Sequence, residues 1–226
     1  MPQPALIAAS WMTKFHSKQQ AVLSLALLVL LSGCVVRSGV PVDGALTPAL
    51  AYAYIPLKTT SPLYPESDAG GVALGGGIAV SVAHAKKYLP PALLIGISRD
   101  CDLMFFHTDR TQAVLEKDVP HVGEKVIAYA QYEGVPYRAE GTVTALGAAV
   151  LPRCESCVAQ TAFVFEGNAG PGYSGGPVLD AATGKLLGIV FGYLDPPQGP
   201  RLIYAYPLSR VDAELKVVQA EKTSPP

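Results

Sequence analysis

The residues best suited to chemistry here are a serine in a glycine frame, four histidines and a few carboxylates. Gly170-Pro-Gly-Tyr-Ser-Gly-Gly-Pro-Val178 sets Ser174 among glycines and runs on into an apolar, strand-like stretch. Glycine lets the backbone turn tightly and come close to a bound carbonyl. Two N–H groups of such a turn can point at the negative oxygen that develops when the serine attacks. A serine hydroxyl is a weak nucleophile until a base takes its proton, and the base needs an acid to orient it. His16, His84, His107 and His121 are the histidines, and all precede Ser174. His84 closes the apolar stretch that starts at Gly75, in Ser81-Val-Ala-His84. Asp102 heads another, Cys101-Asp-Leu-Met-Phe-Phe106, and Asp100 beside it fits a solvated turn better. His107 and His121 sit in sequence without a motif and read as structural or exposed residues.

Chain order separates two chemistries. Gly172, Ser174 and Gly176 also fit the Gly-x-Ser-x-Gly elbow of α/β hydrolases. That fold orders its triad serine, acid, histidine, and no histidine follows Ser174, so it is excluded. The order histidine, aspartate, serine is that of the chymotrypsin type. On these residues the chain resembles the trypsin-like serine proteases. Gly-x-Ser-Gly-Gly-Pro surrounds Ser174, Ser81-Val-Ala-His84 is similar to the family's Thr/Ser-x-Ala-His, and Asp102-Leu-Met-Phe is similar to its Asp-Leu-Ala-Leu-type strand. Val122-Gly-Glu-Lys-Val-Ile-Ala, Gly141-Thr-Val-Thr-Ala-Leu-Gly, Gly188-Ile-Val and Tyr204-Ala-Tyr-Pro-Leu extend the resemblance, towards the HtrA-type branch, from Gly71 to Ala220.

The resemblance implies a catalytic triad of His84, Asp102 and Ser174, with the N–H groups of Gly172 and Ser174 as the oxyanion hole. It implies that Asn168 lies near the base of the first specificity pocket and that Phe191, Gly192 and Tyr193 form a wall. Without an acid at 168, a small or apolar residue is expected there rather than Lys or Arg. The implied activity is serine endopeptidase action on peptides or proteins, with no cofactor and no metal. Two departures stand out. His84 and Asp102 are only 18 positions apart, so a hairpin of the first barrel is expected to be missing. No PDZ domain follows, so peptide sensing and cage assembly do not carry over. The alternative reading is an inactive relative that binds peptides or proteins, and a third is a structural envelope lipoprotein with no site.

The elements expected to position these residues are strands. Short apolar runs between Gly and Pro breaks cover Gly75–Ala83, Ala92–Ser98, Leu103–His107, Lys125–Gln131, Gly141–Leu146, Thr161–Phe165, Gly176–Leu179, Leu186–Phe191 and Leu202–Tyr206, with Ala51–Leu57 as a candidate first strand. That spacing predicts an all-β chain. With the resemblance it becomes two six-stranded-type antiparallel β-barrels of the trypsin-like fold, the first abbreviated. Leu208, Val211, Leu215 and Val218 recur at helical spacing, with Ser209 as a candidate N-cap, and predict a short C-terminal helix.

The N-terminus reads as an address. Lys14 and Lys18 precede an uncharged apolar run from Ala21 to Leu31, too short to cross a bilayer core of about 30 Å but suited to a signal peptide. Leu31-Ser-Gly-Cys34 resembles the lipobox of bacterial lipoproteins, which implies lipidation at Cys34 and a membrane anchor. Val35, rather than an acid, leans towards the outer membrane, facing the periplasm. Met12 is an alternative start. The expected organisation is a signal peptide over 1–33, a lipidated, Pro-rich tether over 34–70, the protease domain over 71–220 and a disordered tail over 221–226. Cys154 and Cys157 are a candidate disulfide of an oxidising compartment. Free thiols, a redox pair and half a zinc site are the rival readings. The formal net charge is −1 and no basic run is long enough to track phosphates, which excludes a nucleic-acid partner.

Overall fold

The computed structural model describes residues 37–58, 69–150 and 160–223. Cys34, Cys154, Cys157 and the leader 1–33 lie outside the described residues. Among the described residues two antiparallel sheets divide twelve strands. The chain runs β1 (Val40–Pro41), α1 (Pro48–Ala53), β2 (Tyr54–Leu57), β3 (Ala69–Gly75), β4 (Ile78–Ser81), two 3₁₀ turns (Ala83–Tyr88 and Pro91–Leu93), β5 (Leu94–Ile97) and β6 (Met104–His107). It continues through β7 (Lys125–Tyr132), β8 (Val135–Val150), β9 (Gln160–Gly167), β10 (Pro177–Asp180), β11 (Leu186–Leu194), β12 (Leu202–Pro207) and α2 (Leu208–Thr223).

The first sheet has the order β2-β3-β4-β6-β5. The second has the order β1-β8-β7-β10-β11-β12-β9, and β8 also pairs with β9. That extra pairing closes six strands, β7 to β12, into a barrel. It is made by one long strand: the first half of β8 pairs with β7 through Val135–Thr142, and the second half pairs with β9 through Gly141–Val150. Register shifts at Val143/Ala145 and Ala145/Ala148 bend β8 between its two partners. The fold is therefore mostly β, with one closed six-stranded barrel, a second sheet and a C-terminal helix. The expected shortening of the first barrel takes the form of five strands, with no pairing of β2 to β5 among the described residues.

Strand alternation builds the barrel core. Along β7, Val126, Ala128, Ala130 and Tyr132 are buried and the residues between them are not. They meet Phe163, Phe165, Val178, Leu187, Val190 and Ile203 inside the barrel. Small alanines beside two phenylalanines fill a closed interior without voids. A second cluster joins the first sheet to the outer face of the barrel and to α2, through Val80, Phe105, Leu179, Ile189, Tyr206, Val211 and Val218. The two sheets thus share one core, and α2 seals it against β5, where a Cβ at Gly96 would come 2.5 Å from Val218 Cγ1.

Four expectations need correction. Residues 40–57 are not all tether: β1 pairs with β8, α1 buries Leu50 and Ala53, and β2 pairs with β3. The folded body therefore starts upstream of Gly71. Pro48 at the start of α1, with the Thr47 side chain accepting from the Leu50 N–H, makes 48–53 helical, so only Tyr54–Leu57 is strand. Gly75, Gly76 and Gly77 have φ of +94°, +62° and +75°; Gly75 ends β3, and Gly76 and Gly77 form the β3–β4 turn rather than strand. Ser209 lies inside α2 rather than capping it, and α2 runs on to Thr223, taking in residues expected to be tail. Among the described residues no helix is long and apolar enough to cross a membrane. Phe165 is fully buried in the barrel. Phe165→Ala is expected to lower stability by about 3–5 kcal/mol in urea unfolding, through lost burial and the cavity left behind.

Candidate active site

Strand register brings His84 and Asp102 together. β4 and β6 are neighbours, and Ser81 pairs with Met104. His84 follows Ser81 in the 3₁₀ turn and Asp102 precedes Met104, so both stand at the same end of the pair. The Ala83 N–H carries the ladder one step further, to the Asp102 carbonyl at 3.2 Å. His84 Nδ1 then lies 2.6 Å from Asp102 Oδ2, and the His84 backbone N–H donates to Oδ1 at 3.0 Å. The carboxylate is 14% exposed and the imidazole 51%, so the acid is sheltered while the ring reaches solvent. The short separation of 18 residues does not keep them apart, because β5 and two 3₁₀ turns fill it and return the chain beside β4.

Asp102 is held from beneath by residues that the sequence does not link to it. The Asp102 backbone N–H donates to the hydroxyl of Tyr206, which is fully buried. Ser98 Oγ accepts the N–H groups of Cys101 at 2.8 Å and Asp100 at 3.2 Å, and donates to Glu214 Oε2 at 2.5 Å. Glu214 in turn pairs with Arg210 at 2.9 Å, and Arg210 Nε donates to Cys101 Sγ at 3.1 Å. Arg210 and Glu214 are four apart on α2, so one helix face clamps the whole Ser98–Asp102 loop. Asp100, the rival acid, is exposed on this loop.

Ser174 lies between β9 and β10, on a half-buried loop docked against the first sheet. The Gly70 N–H on β3 donates to the Ser174 carbonyl at 2.7 Å, and Ser81 Oγ on β4 donates to the Gly70 carbonyl at 2.5 Å. A Cβ at Gly175 would meet the Gly70 oxygen at 2.1 Å and Ser81 Oγ at 2.3 Å, so this approach requires glycine. Gly172 and Gly175 have φ of +91° and +77°. The Tyr173 N–H is bonded to the Gly170 carbonyl at 3.1 Å, and Tyr132 donates its hydroxyl to the Pro171 carbonyl. Among the described residues no backbone hydrogen bond uses the N–H of Gly172 or of Ser174. No hydrogen bond joins Ser174 Oγ to His84 among the described residues.

The other expected residues separate. Asn168 is exposed just past β9. Phe191 is buried, stacked on Tyr206 with ring centroids 4.1 Å apart, so its ring belongs to the core. Gly192 is half-buried, and Tyr193 is exposed beneath the Arg201 guanidinium at 4.6 Å. His107 ends β6 at the far end from Asp102, and His121 lies in an exposed turn where its N–H donates to Glu124.

This architecture has solved counterparts. The M. tuberculosis protease Rv3671c in its active form superposes with a TM-score of 0.59 at 13% identity, over 81% of this chain and 92% of that one. The fold is trypsin-like. The protease domain of MamO from Magnetospirillum magneticum gives 0.58 at 18% identity, over 74% of this chain and 98% of that one. The HtrA-type protease AlgW with a tripeptide gives 0.57 at 20% identity, over 76% of this chain, which spans only 62% of the AlgW chain. No family model matches the chain. No curated protein matches it.

Cys101, buried next to the acid, is free. Burial pushes its thiol up, against the hydrogen bond from Arg210. A raised thiol carries less thiolate at a given pH than an ordinary cysteine, whose value is about 8.5, and only thiolate is alkylated. At pH 8 the Cys101 peptide of the native protein should therefore stay unmodified by iodoacetamide, and react fully in urea, as read by mass spectrometry. Fast native alkylation would mean that the Ser98–Asp102 loop opens readily.

Proposed function

We propose that the chain is a serine endopeptidase carried on the bacterial envelope, acting through His84, Asp102 and Ser174. The observation that carries the reading is the His84–Asp102 contact of 2.6 Å with a sheltered carboxylate, on a trypsin-like fold. The hydrogen bond to Asp102 holds the imidazole with its proton on Nδ1 and leaves Nε2 as the acceptor. Ser174 Oγ attacks the scissile carbonyl carbon while Nε2 takes its proton. The oxyanion is held by the N–H groups of Gly172 and Ser174. The tetrahedral species collapses, the C–N bond breaks, and His84 gives its proton to the leaving amine. Water, deprotonated by His84, then attacks the acyl-enzyme and frees Ser174. Asp102 orients the imidazole and stabilises its charged form.

The substrate is a peptide or protein. The tripeptide with AlgW supports this. Asn168 and the half-buried Gly192 with Tyr193 border the first specificity pocket, which favours a small or apolar side chain. The Leu31-Ser-Gly-Cys34 motif supports an acyl anchor at Cys34, with the outer membrane, facing the periplasm, as the site of attachment.

A second reading is an inactive relative that binds peptides. Two observations favour it: among the described residues Ser174 Oγ is not bonded to His84, and the first sheet has five strands rather than six. Apo sites often leave this bond unmade until substrate arrives, so the first reading stands ahead. The test is a fluorophosphonate probe on the soluble body, residues 35–226, beside Ser174→Ala and His84→Ala. The expected outcome is covalent labelling of the wild type that both substitutions abolish. A folded wild type that takes no label overturns the protease reading in favour of the binding module.

A further inference from the structure

The first described residues of the body lie across the loop that bears the proposed oxyanion donors. Arg37 pairs with the Glu133 carboxylate at the β7–β8 turn, and its Nη1 donates to the Tyr137 hydroxyl at 3.4 Å. Val40 and Pro41 pair with Arg138 and Tyr137 as β1, and the Val42 N–H donates to the Pro136 carbonyl at 2.9 Å. Between these moorings, Ser38 and Gly39 meet the nucleophile loop. Tyr173, which separates Gly172 from Ser174, donates its hydroxyl to the Ser38 carbonyl at 3.2 Å. Arg201 Nη1 spans the two segments, donating to Ser38 Oγ at 3.3 Å and to the Ala169 carbonyl at 3.0 Å. The contact is close on both sides. A Cβ at Gly39 would come 2.0 Å from the Tyr173 hydroxyl, and one at Gly170 would come 2.2 Å from Ser38 Oγ.

We propose that Arg37–Pro41 is a positioning strap for the nucleophile loop, and that the site is competent only while the strap is seated. The inference rests on the reading of Ser174 as the nucleophile. Two features separate it from ordinary edge pairing. The six-stranded barrel closes through β8 and β9, so it does not need β1 to complete its sheet or core. Tyr173 is fully buried, and the Ser38 carbonyl is its hydroxyl's acceptor. Without the strap that hydroxyl loses its acceptor in the interior, which is costly, and the loop relaxes to find another. Movement of Tyr173 shifts the N–H groups on both sides of it, and misplacement by about 1 Å at such a site lowers rate by on the order of 10²-fold. The strap is also removable. It is two paired residues held mainly by polar contacts at a sheet edge, the kind of segment that opens locally without global unfolding.

The test compares a body beginning at Arg37 with one beginning at Val42. Two quantities are read: the fluorophosphonate labelling rate of Ser174, and the hydrogen exchange of the Tyr173 N–H, which is bonded to the Gly170 carbonyl. With the strap gone, labelling should fall on the order of 10²-fold while circular dichroism stays that of the intact body. Exchange at Tyr173 should accelerate. An acetylated Arg-Ser-Gly-Val-Pro peptide added in trans should restore both, which a merely structural loss would not allow. Full-rate labelling and unchanged exchange in a folded truncated body overturn the strap and leave the protease reading intact. An intact body that takes no label overturns the protease reading, and the exchange comparison still decides whether the strap holds the loop. Should the truncated body fail to fold, Gly39→Ala, which drives a methyl against the Tyr173 hydroxyl, takes its place. Slower labelling with faster exchange at Tyr173 then supports the strap, and wild-type values of both overturn it.

Discussion

Ser174 and His84 belong to segments anchored on different sheets, and what joins them is a backbone contact between Gly70 and the loop of Ser174. The Gly70 N–H holds the Ser174 carbonyl, its own carbonyl accepts from Ser81, and Gly175 lies so close that no side chain fits. Ser81 is the last residue of the strand that leads to His84. One short chain of contacts therefore links the strand leading to His84 with the loop of Ser174, through main-chain atoms and a fully buried hydroxyl. Backbone contacts have few degrees of freedom, which suits a site where small misplacement costs rate. They also fix residue type: a side chain at 175 would force the barrel loop away from the first sheet.

The same logic explains how an abbreviated first sheet supports a base and an acid. Alignment of the two depends on β4 lying directly beside β6, not on the number of strands in the sheet. Once Ser81 faces Met104, two or three residues on each side suffice to bring imidazole and carboxylate into contact. A strand lost from the sheet edge leaves that pair untouched. What the smaller sheet cannot supply is support beneath the acid loop, and α2 takes that role through Arg210 and Glu214, with Tyr206 at the end of β12. The C-terminal segment thus stiffens the acid of the N-terminal sheet.

How much of this is legible in the sequence follows from the range of each interaction. The glycine frame of Ser174, the apolar runs around His84 and Asp102, and the turn-bounded strands are local patterns, and the assignments over 94–206 fall on observed strands, but Gly141–Leu146 takes in only the middle of β8 and leaves out most of the half that pairs with β7. The Gly76–Gly77 turn reads as strand because its glycines adjoin an apolar run, and apolarity alone does not distinguish a strand from the turn that feeds it. Residues 40–57 mislead for a related reason. Their prolines suggest a tether, but Pro48 opens a helix and Pro41 sits at a sheet edge, two places where a missing N–H costs nothing. Glu214 and Ser98 give no signal of their contact with the Asp102 loop, and Tyr206 shows only as part of a strand. Each acts on a residue more than a hundred positions away or through a turn whose shape only the fold defines. A buried hydroxyl has no periodicity to betray its partner.

Those hydroxyls carry a common physical argument. Tyr206 serves the Asp102 N–H, Ser98 serves the acid loop, Tyr132 serves the Pro171 carbonyl and Tyr173 reaches the Ser38 carbonyl. In each case a side chain anchored in a packed region satisfies the main chain of a loop that has no sheet to satisfy it. The net gain from one such bond is small, about 1 kcal/mol, but the penalty for a buried group left unpaired is larger, about 1–3 kcal/mol. The asymmetry means these contacts act as locks more than as sources of stability. A loop displaced from one of them strands a polar group in the interior, so the Ser98–Asp102 loop, the loop of Ser174 and the segment at Ser38 are each held in place. The rigidity of the barrel is thereby passed on to three segments that lie outside its hydrogen-bonded strands.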